Sequence, residues 1–230
     1  MRFSHSSDIW RDFPELAAGA LFVVGIDAAA DVAAAVDRYG ATARSRLDGS
    51  SEGELPEIRA WRRAFSRMGL KPTQYRCASE ALLRRFRKEG TLPRLHPLVD
   101  LCNALSLATA IPVAVLDVAR IAGSLQVRYA TGSERYLTFG GEVENPAEGE
   151  VVFADADGNA HARRWTNRQS GLSAVRDGSR AVLIVAEAMH DTARADVESL
   201  LTALSAEIAM AWQPPAATAI LGPSEPEFGF

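Results

Sequence analysis

The sequence predicts an α+β fold, mixed α/β in its element order, in one domain. Three observations carry that expectation. Two all-apolar runs, residues 20–26 and 181–186, are rich in β-branched side chains and have the length of buried strands. Several segments between and after them space apolar residues three and four apart, as amphipathic helices do. Residues 151–154 and 160–164 flank Asp155-Ala156-Asp157-Gly158, the signature of a hairpin.

In chain order, the strand at 20–26 is followed by an alanine-rich helix with Asp27 near its start and Gly40 past its end. Residues 45–54 are polar and predict a loop. Pro56 opens a helix whose apolar members are Ile58, Trp61, Phe65 and Met68, and Gly69 ends it. An extended stretch at 71–77 leads to a helix capped near Ser79, with Leu82, Leu83 and Phe86 inward and Gly90 at its stop. Residues 98–109 predict a central helix. Strands follow at 112–117, 125–130 and 135–139, with a turn at Gly140-Gly141. Residues 145–150 predict a loop before the hairpin, and 165–179 are polar and irregular. After the strand at 181–186, residues 191–212 form a long helix with Val197, Leu200, Leu201, Leu204 and Ile208 as its stripe. The domain is expected over 1–212. The tail, 213–230, holds four prolines and is expected to lie outside it and be mobile.

At 47% hydrophobic and 23% charged residues, the chain has material for a sizeable core. No apolar run reaches the ~18 residues of a membrane span. The start MRFSHSSDIW lacks the basic and apolar pattern of a signal peptide. Cys77 and Cys102 form no CxxC pair, so the cytoplasm is the expected compartment. No histidine is spaced with another, or with a cysteine, as a metal site requires, and no nucleotide-binding or nucleophile-elbow motif occurs. Neither a metal nor a cofactor is expected.

The net charge of −4 argues against a protein that coats nucleic acid, and no DNA partner is expected. Cations nevertheless crowd the span 59–94, where only Glu80 and Glu89 oppose them. That excess either meets phosphates or solvates helix faces. Other polar residues sit inside apolar elements. Asp100, Asn103 and Ser106 lie a turn apart on the central helix. They either bond the loops packed on it or read a small polar ligand. Arg128, inside a strand, either pairs with Asp117 or Glu134 or faces a pocket. Arg163, Arg164, Trp165, Asn167 and Gln169 share one irregular segment that suits a phosphate and a stacked base, or else is a surface loop pinned by Trp165. Cys77, beside Arg76, is either an activated thiol or a buried inert one.

The string PLVDLCNALSLATAIPVAVLDVARIAGSLQVRYATGSERYLTFGG resembles the B3/B4 domain of the phenylalanyl-tRNA synthetase β subunit. That pattern is a VD-x-x-N helix, a proline-led strand ending in Asp, a strand with Arg and Ala, then Gly and Glu before a glycine turn. Here those positions are Val99, Asp100 and Asn103, then Pro112 and Asp117, then Gly123, Arg128 and Ala130, then Gly132, Glu134 and Gly140 or Gly141. With WRRAFSRMGLKPTQYRCASEALLRR before it and RRWTNRQS after it, the chain is similar to free-standing B3/B4 proteins over residues 10–190. The resemblance implies a central sheet with packed helices and no oligomeric state. It implies a trans-editing hydrolase that deacylates mischarged aminoacyl-tRNA with a positioned water. The alternative is a non-catalytic module that binds the tRNA acceptor end, a nucleotide or an amino acid.

On that resemblance, Asn103, Ser106, Glu80 and Glu134 are the catalytic candidates. Arg76, Ser79, Asp100, Ala114, Arg128, Arg164, Trp165, Asn167 and Gln169 are expected around the substrate. Arg59, Arg62, Arg63, Arg84, Arg85 and Lys88 are the expected phosphate contacts of the tRNA. One position departs: Ala114 stands where the family strand carries a histidine, so tyrosine specificity does not carry over.

Overall fold

The computed structural model describes residues 1–230 and lays its strands around the apolar segment 181–188. In chain order the elements are β1 (Arg2–His5), α1 (Ser7–Asp12), β2 (Ala17–Val24), α2 (Ala33–Leu47), α3 (Pro56–Arg67), α4 (Ala78–Glu89) and α5 (Pro97–Thr109). Then come β3 (Val113–Asp117), β4 (Ser124–Tyr129), β5 (Tyr136–Leu137), β6 (Val143–Glu144), β7 (Val151–Asp155), β8 (Ala160–Arg163) and β9 (Arg168–Gln169). The chain closes with β10 (Ala181–Ala188), α6 (Ala193–Ala211), β11 (Ala217–Leu221) and β12 (Glu227–Gly229).

The expected central sheet is divided in two. A four-stranded sheet runs β11-β2-β10-β3 and a six-stranded one runs β12-β1-β4-β7-β8-β9, with β5-β6 as a separate ribbon. Neighbouring strands are antiparallel except β1 and β4, which are parallel. The period-two alternation of β2 and β10 gives each sheet face its own core. Leu183 and Val185 meet Phe3, Leu125, Val127 and Phe153 of the six-stranded sheet, with Trp61 and Phe65 of α3 beside them. Val182, Ile184 and Ala186 face the opposite way, onto Leu101 and Leu105 of α5 and Val197, Leu201 and Leu204 of α6. Close approach of α6 needs Gly19, because a Cβ there would come within 2.6 Å of Leu201.

Helix boundaries follow local chemistry. Pro56 and Pro97 occupy first turns, where a missing N–H costs nothing. Gly90 ends α4 at φ +75°, a conformation that penalises a Cβ. Gly40 does not end α2. It is buried inside the helix against Phe86, and the helix runs on through part of the expected 45–54 loop. The expected hairpin forms as β7 and β8, with a register shift between Phe153 and Ala154.

The tail expected outside the domain lies within both sheets. β11 pairs with β2, and β12 pairs with β1, whose N-terminal segment had suggested no element. Its prolines, Pro214, Pro215, Pro223 and Pro226, all fall between strands, where a missing donor breaks no ladder. No helix is long and apolar enough to cross a membrane.

Candidate functional site

Strand β3 is the edge of the four-stranded sheet and β9 the edge of the six-stranded one. Gln169 joins them, its Nε2 donating to the Val115 carbonyl at 2.7 Å. Between the two edges is a recess of about 60 Å³ lined by Ala114, Trp165, Asn167, Gln169 and Glu187, with Ala78 at the start of α4. Four of the expected substrate residues, Ala114, Trp165, Asn167 and Gln169, therefore meet here. Arg76 is tied to the same wall through its carbonyl, which accepts from Asn167 Nδ2 at 2.7 Å.

The wall is built on a strained backbone. Arg164 and Trp165 both have positive φ, +46° and +57°, where a side chain costs on the order of 1–3 kcal/mol. Three anchors hold that turn. Arg164 N–H donates to Glu150 at 3.0 Å, Trp165 N–H donates to the Val151 carbonyl at 2.7 Å, and the Arg164 guanidinium lies 4.7 Å over the Tyr75 ring. Of the two alternatives for Trp165, a stacked base or a pin for its loop, the burial of its side chain fits the second. Its indole is wholly buried, edge-on to Phe13 and Trp61 at 4.8 and 5.2 Å. Only its polar end is put to use, and its Nε1 donates to Glu187 Oε1 at 2.9 Å.

Glu187 is the residue that sequence reasoning missed. Its register on β10 puts it on the same face as Val185, which pairs with Ala114. It is 2% exposed, and both of its bonds go to Oε1, the second from His5 Nε2 at 2.7 Å. Trp165 can only donate, and a carboxylate only accepts, so His5 carries its proton on Nε2. Oε2 makes no bond within the protein and belongs to the group that lines the recess. The available signal was a lone glutamate ending the apolar run VLIVAEA.

The remaining candidates are elsewhere. Glu134 is clasped in its own loop. It accepts from the N–H groups of Thr131 and Gly132 and from Arg128 Nη1 at 2.5 Å. Burial works to raise its pKa, but the Thr131 N–H and the Arg128 guanidinium outweigh burial and hold the carboxyl down at about 2. Glu134 and Arg128 thus form a structural pair away from the recess. Ser106 is buried and donates to the Ile111 carbonyl at 2.6 Å, closing the end of α5. It does not reach the second cavity, beside α2 and α4, that Asp100 and Asn103 line. Glu80 is buried under the fork of Arg62, at 2.7 and 3.2 Å. Ser79 is buried against Cys77, whose thiol burial pushes up to about 12 and so makes inert.

The basic span is less open than its sequence suggests, because glutamates from inside and outside it pair with its cations. Arg84 and Arg87 hold Glu52 at 3.0 Å, Arg67 pairs with Glu15, and Arg85 pairs with Glu89 at 2.9 Å. Among the six expected phosphate contacts, Arg62, Arg84 and Arg85 are engaged, while Arg59, Arg63 and Lys88 are in no ion pair.

The B3/4 domain family matches residues 60–205, more than half of the chain. No curated protein matches. Among solved structures, an N-terminal fragment of the phenylalanyl-tRNA synthetase beta-subunit from Pyrococcus horikoshii is similar, with a TM-score of 0.47 and 9% identity. The similarity covers 91% of this chain and 48% of that one, so the chain spans about half the length of that fragment.

Proposed function

The chain belongs to the B3/4 domain family, and from that premise we propose that it hydrolyses the ester of a mischarged aminoacyl-tRNA in trans, taking a small acyl group. The observation that carries the reading is Glu187, a buried carboxylate fixed through one oxygen beside Ala114, the position where the family strand has histidine. An aminoacyl ester is already activated, so a positioned water and a stabilised oxyanion suffice for its hydrolysis.

In this reading, Glu187 Oε2 takes a proton from water as the water oxygen bonds to the ester carbonyl carbon. The N-terminus of α4, whose cap residue Cys77 offers no side-chain acceptor, borders the recess at Ala78 and favours the negative oxygen that results. The intermediate collapses, the bond to the ribose oxygen breaks, and that oxygen takes the proton from Glu187. Free amino acid and the tRNA hydroxyl leave. The amide nitrogens of Asn167 and Gln169 are occupied by carbonyls, which leaves their oxygens to accept from the substrate's ammonium. The recess is narrow, about 60 Å³, which favours a small acyl group and accords with the absence of the imidazole that accompanies tyrosine editing in the family.

The test is deacylation of tRNAs charged with glycine, alanine, serine, phenylalanine and tyrosine. The expected result is turnover of a small acyl group, reduced about 10²–10⁴-fold by Glu187→Gln, the range of a lost general base. Folded protein that turns over none of them overturns the hydrolytic reading. A second reading, a binding module without chemistry, is favoured by Ala114 itself, since no imidazole is present there. Its signature is saturable tRNA binding that weakens with salt and leaves the ester intact.

A further inference from the structure

We propose that the cavity between α2, α4 and α5 is a second ligand site, separate from the recess at Ala114, and that it binds a zwitterion: a free α-amino acid with an apolar side chain. The cavity measures about 280 Å³, several times the recess. Its occupant is read from its charges. Asp37 and Arg44 come from α2, Asp100 from α5, and Arg94 from the segment after α4. Two carboxylates and two guanidiniums sum to zero, so neither a lone anion nor a lone cation is matched, whereas a molecule carrying both charges is.

Asp37, Arg44 and Arg94 are exposed at the cavity, whereas Asp100 and Asn103 are half-buried within it. Most ionic side chains of this protein pair at 2.5–3.4 Å, but Arg94 and Asp100 stand 3.9 Å apart, the longest ion pair in the chain. Asp37 and Arg44 are in no ion pair, and the Arg44 guanidinium lies instead 5.3 Å over the Phe86 ring. Asn103 opens into the same space, and its amide bonds nothing in the protein, leaving both a donor and an acceptor free. Asp100 has one bond, from the Leu95 N–H at 2.9 Å, and burial pushes its carboxyl upward. An ammonium beside it would offset that cost. The other part of the lining, Phe86, Leu92 and Leu107, is apolar and suits an aliphatic or aromatic side chain.

The site does not depend on the hydrolytic reading, and its test needs no enzymatic turnover. The full chain is titrated calorimetrically with alanine, valine, leucine, methionine and phenylalanine. For the best of them, two analogues follow, one lacking the carboxylate and one lacking the amine. Saturable binding is expected for at least one amino acid, with each analogue weaker by roughly tenfold or more. Asn103→Ala and the exposed Arg44→Gln should each weaken binding by a similar factor, while Glu187→Gln in the other cavity leaves it unchanged. Melting curves of the variants without ligand confirm that they fold. No saturable binding by any amino acid overturns the proposal. So does binding that Glu187→Gln abolishes and Asn103→Ala spares, or an analogue that binds as well as the zwitterion.

Discussion

At the scale of single residues, partners decide what a polar side chain does. Glu134 and Glu187 are both glutamates at 2% exposure. Every donor near Glu134 is used to hold its own loop, whereas Glu187 is held by one oxygen and lines a recess with the rest. Glu134 therefore belongs to stability. Its carboxyl falls from an ordinary 4.5 to about 2 in the folded chain, so its contribution is complete above pH 4.5 and is lost as pH drops through that interval. Glu134→Gln removes the charge that Arg128 and the Thr131 N–H address. We expect it to cost about 2 kcal/mol at neutral pH, read by urea unfolding, and to flatten the acid limb of the stability curve between pH 4.5 and 2. An unchanged acid limb would refute the assignment. The Arg128–Glu134 pair was one of the alternatives open from the sequence alone, since both residues lie within one strand and its turn. Glu187 was not legible, because its partners, His5 of β1 and Trp165 of the turn after β8, reach it only through the tertiary fold.

At the scale of elements, apolar period carried most of the reading and its failures share one cause. β2, β10, the β7–β8 hairpin and the stripes of α3 and α6 appear where the pattern places them. The segments misread, β1, β11 and β12, are three to five residues long and gain their order from neighbours rather than from their own pattern. Tertiary pairing is also why Gly40 stays helical, packed beneath Phe86. The tail strands should bear weight. Phe228 is 5% exposed and stacks 5.4 Å from Phe230, which itself meets Phe22 of β2 at 4.8 Å. Phe228→Ala should cost about 3 kcal/mol, a fall in Tm of roughly 6–12 °C for a chain of this length. Calorimetry checks this, and a variant melting with the parent would show that β12 does not contribute to the fold.

At the scale of the whole molecule, folding redistributes charge in a way no linear reading of residues 59–94 reveals. Glu15 and Glu52 come from outside that span to neutralise Arg67, Arg84 and Arg87, and Glu80 is buried beneath Arg62. The cations thus divide into two kinds with opposite expected behaviour. Arg59, Arg63 and Lys88 are exposed and in no ion pair, so they are available to phosphates. If tRNA lies along them, each one replaced by Gln should lower the slope of log affinity against log salt by about 0.7–0.9 and leave Tm nearly unaltered. Arg62 and Arg84 instead cover carboxylates that are almost wholly buried, Glu80 and Glu52. Glu80 has a second partner in Arg76 at 3.4 Å and Glu52 a second in Arg87 at 3.0 Å, so removing Arg62 or Arg84 should cost about 1.5–3 kcal/mol of stability, with no matching change in salt slope. Filter binding across a salt series, paired with thermal melts, separates the two classes. A triple variant of Arg59, Arg63 and Lys88 that keeps the parent slope would mean that nucleic acid approaches by another face.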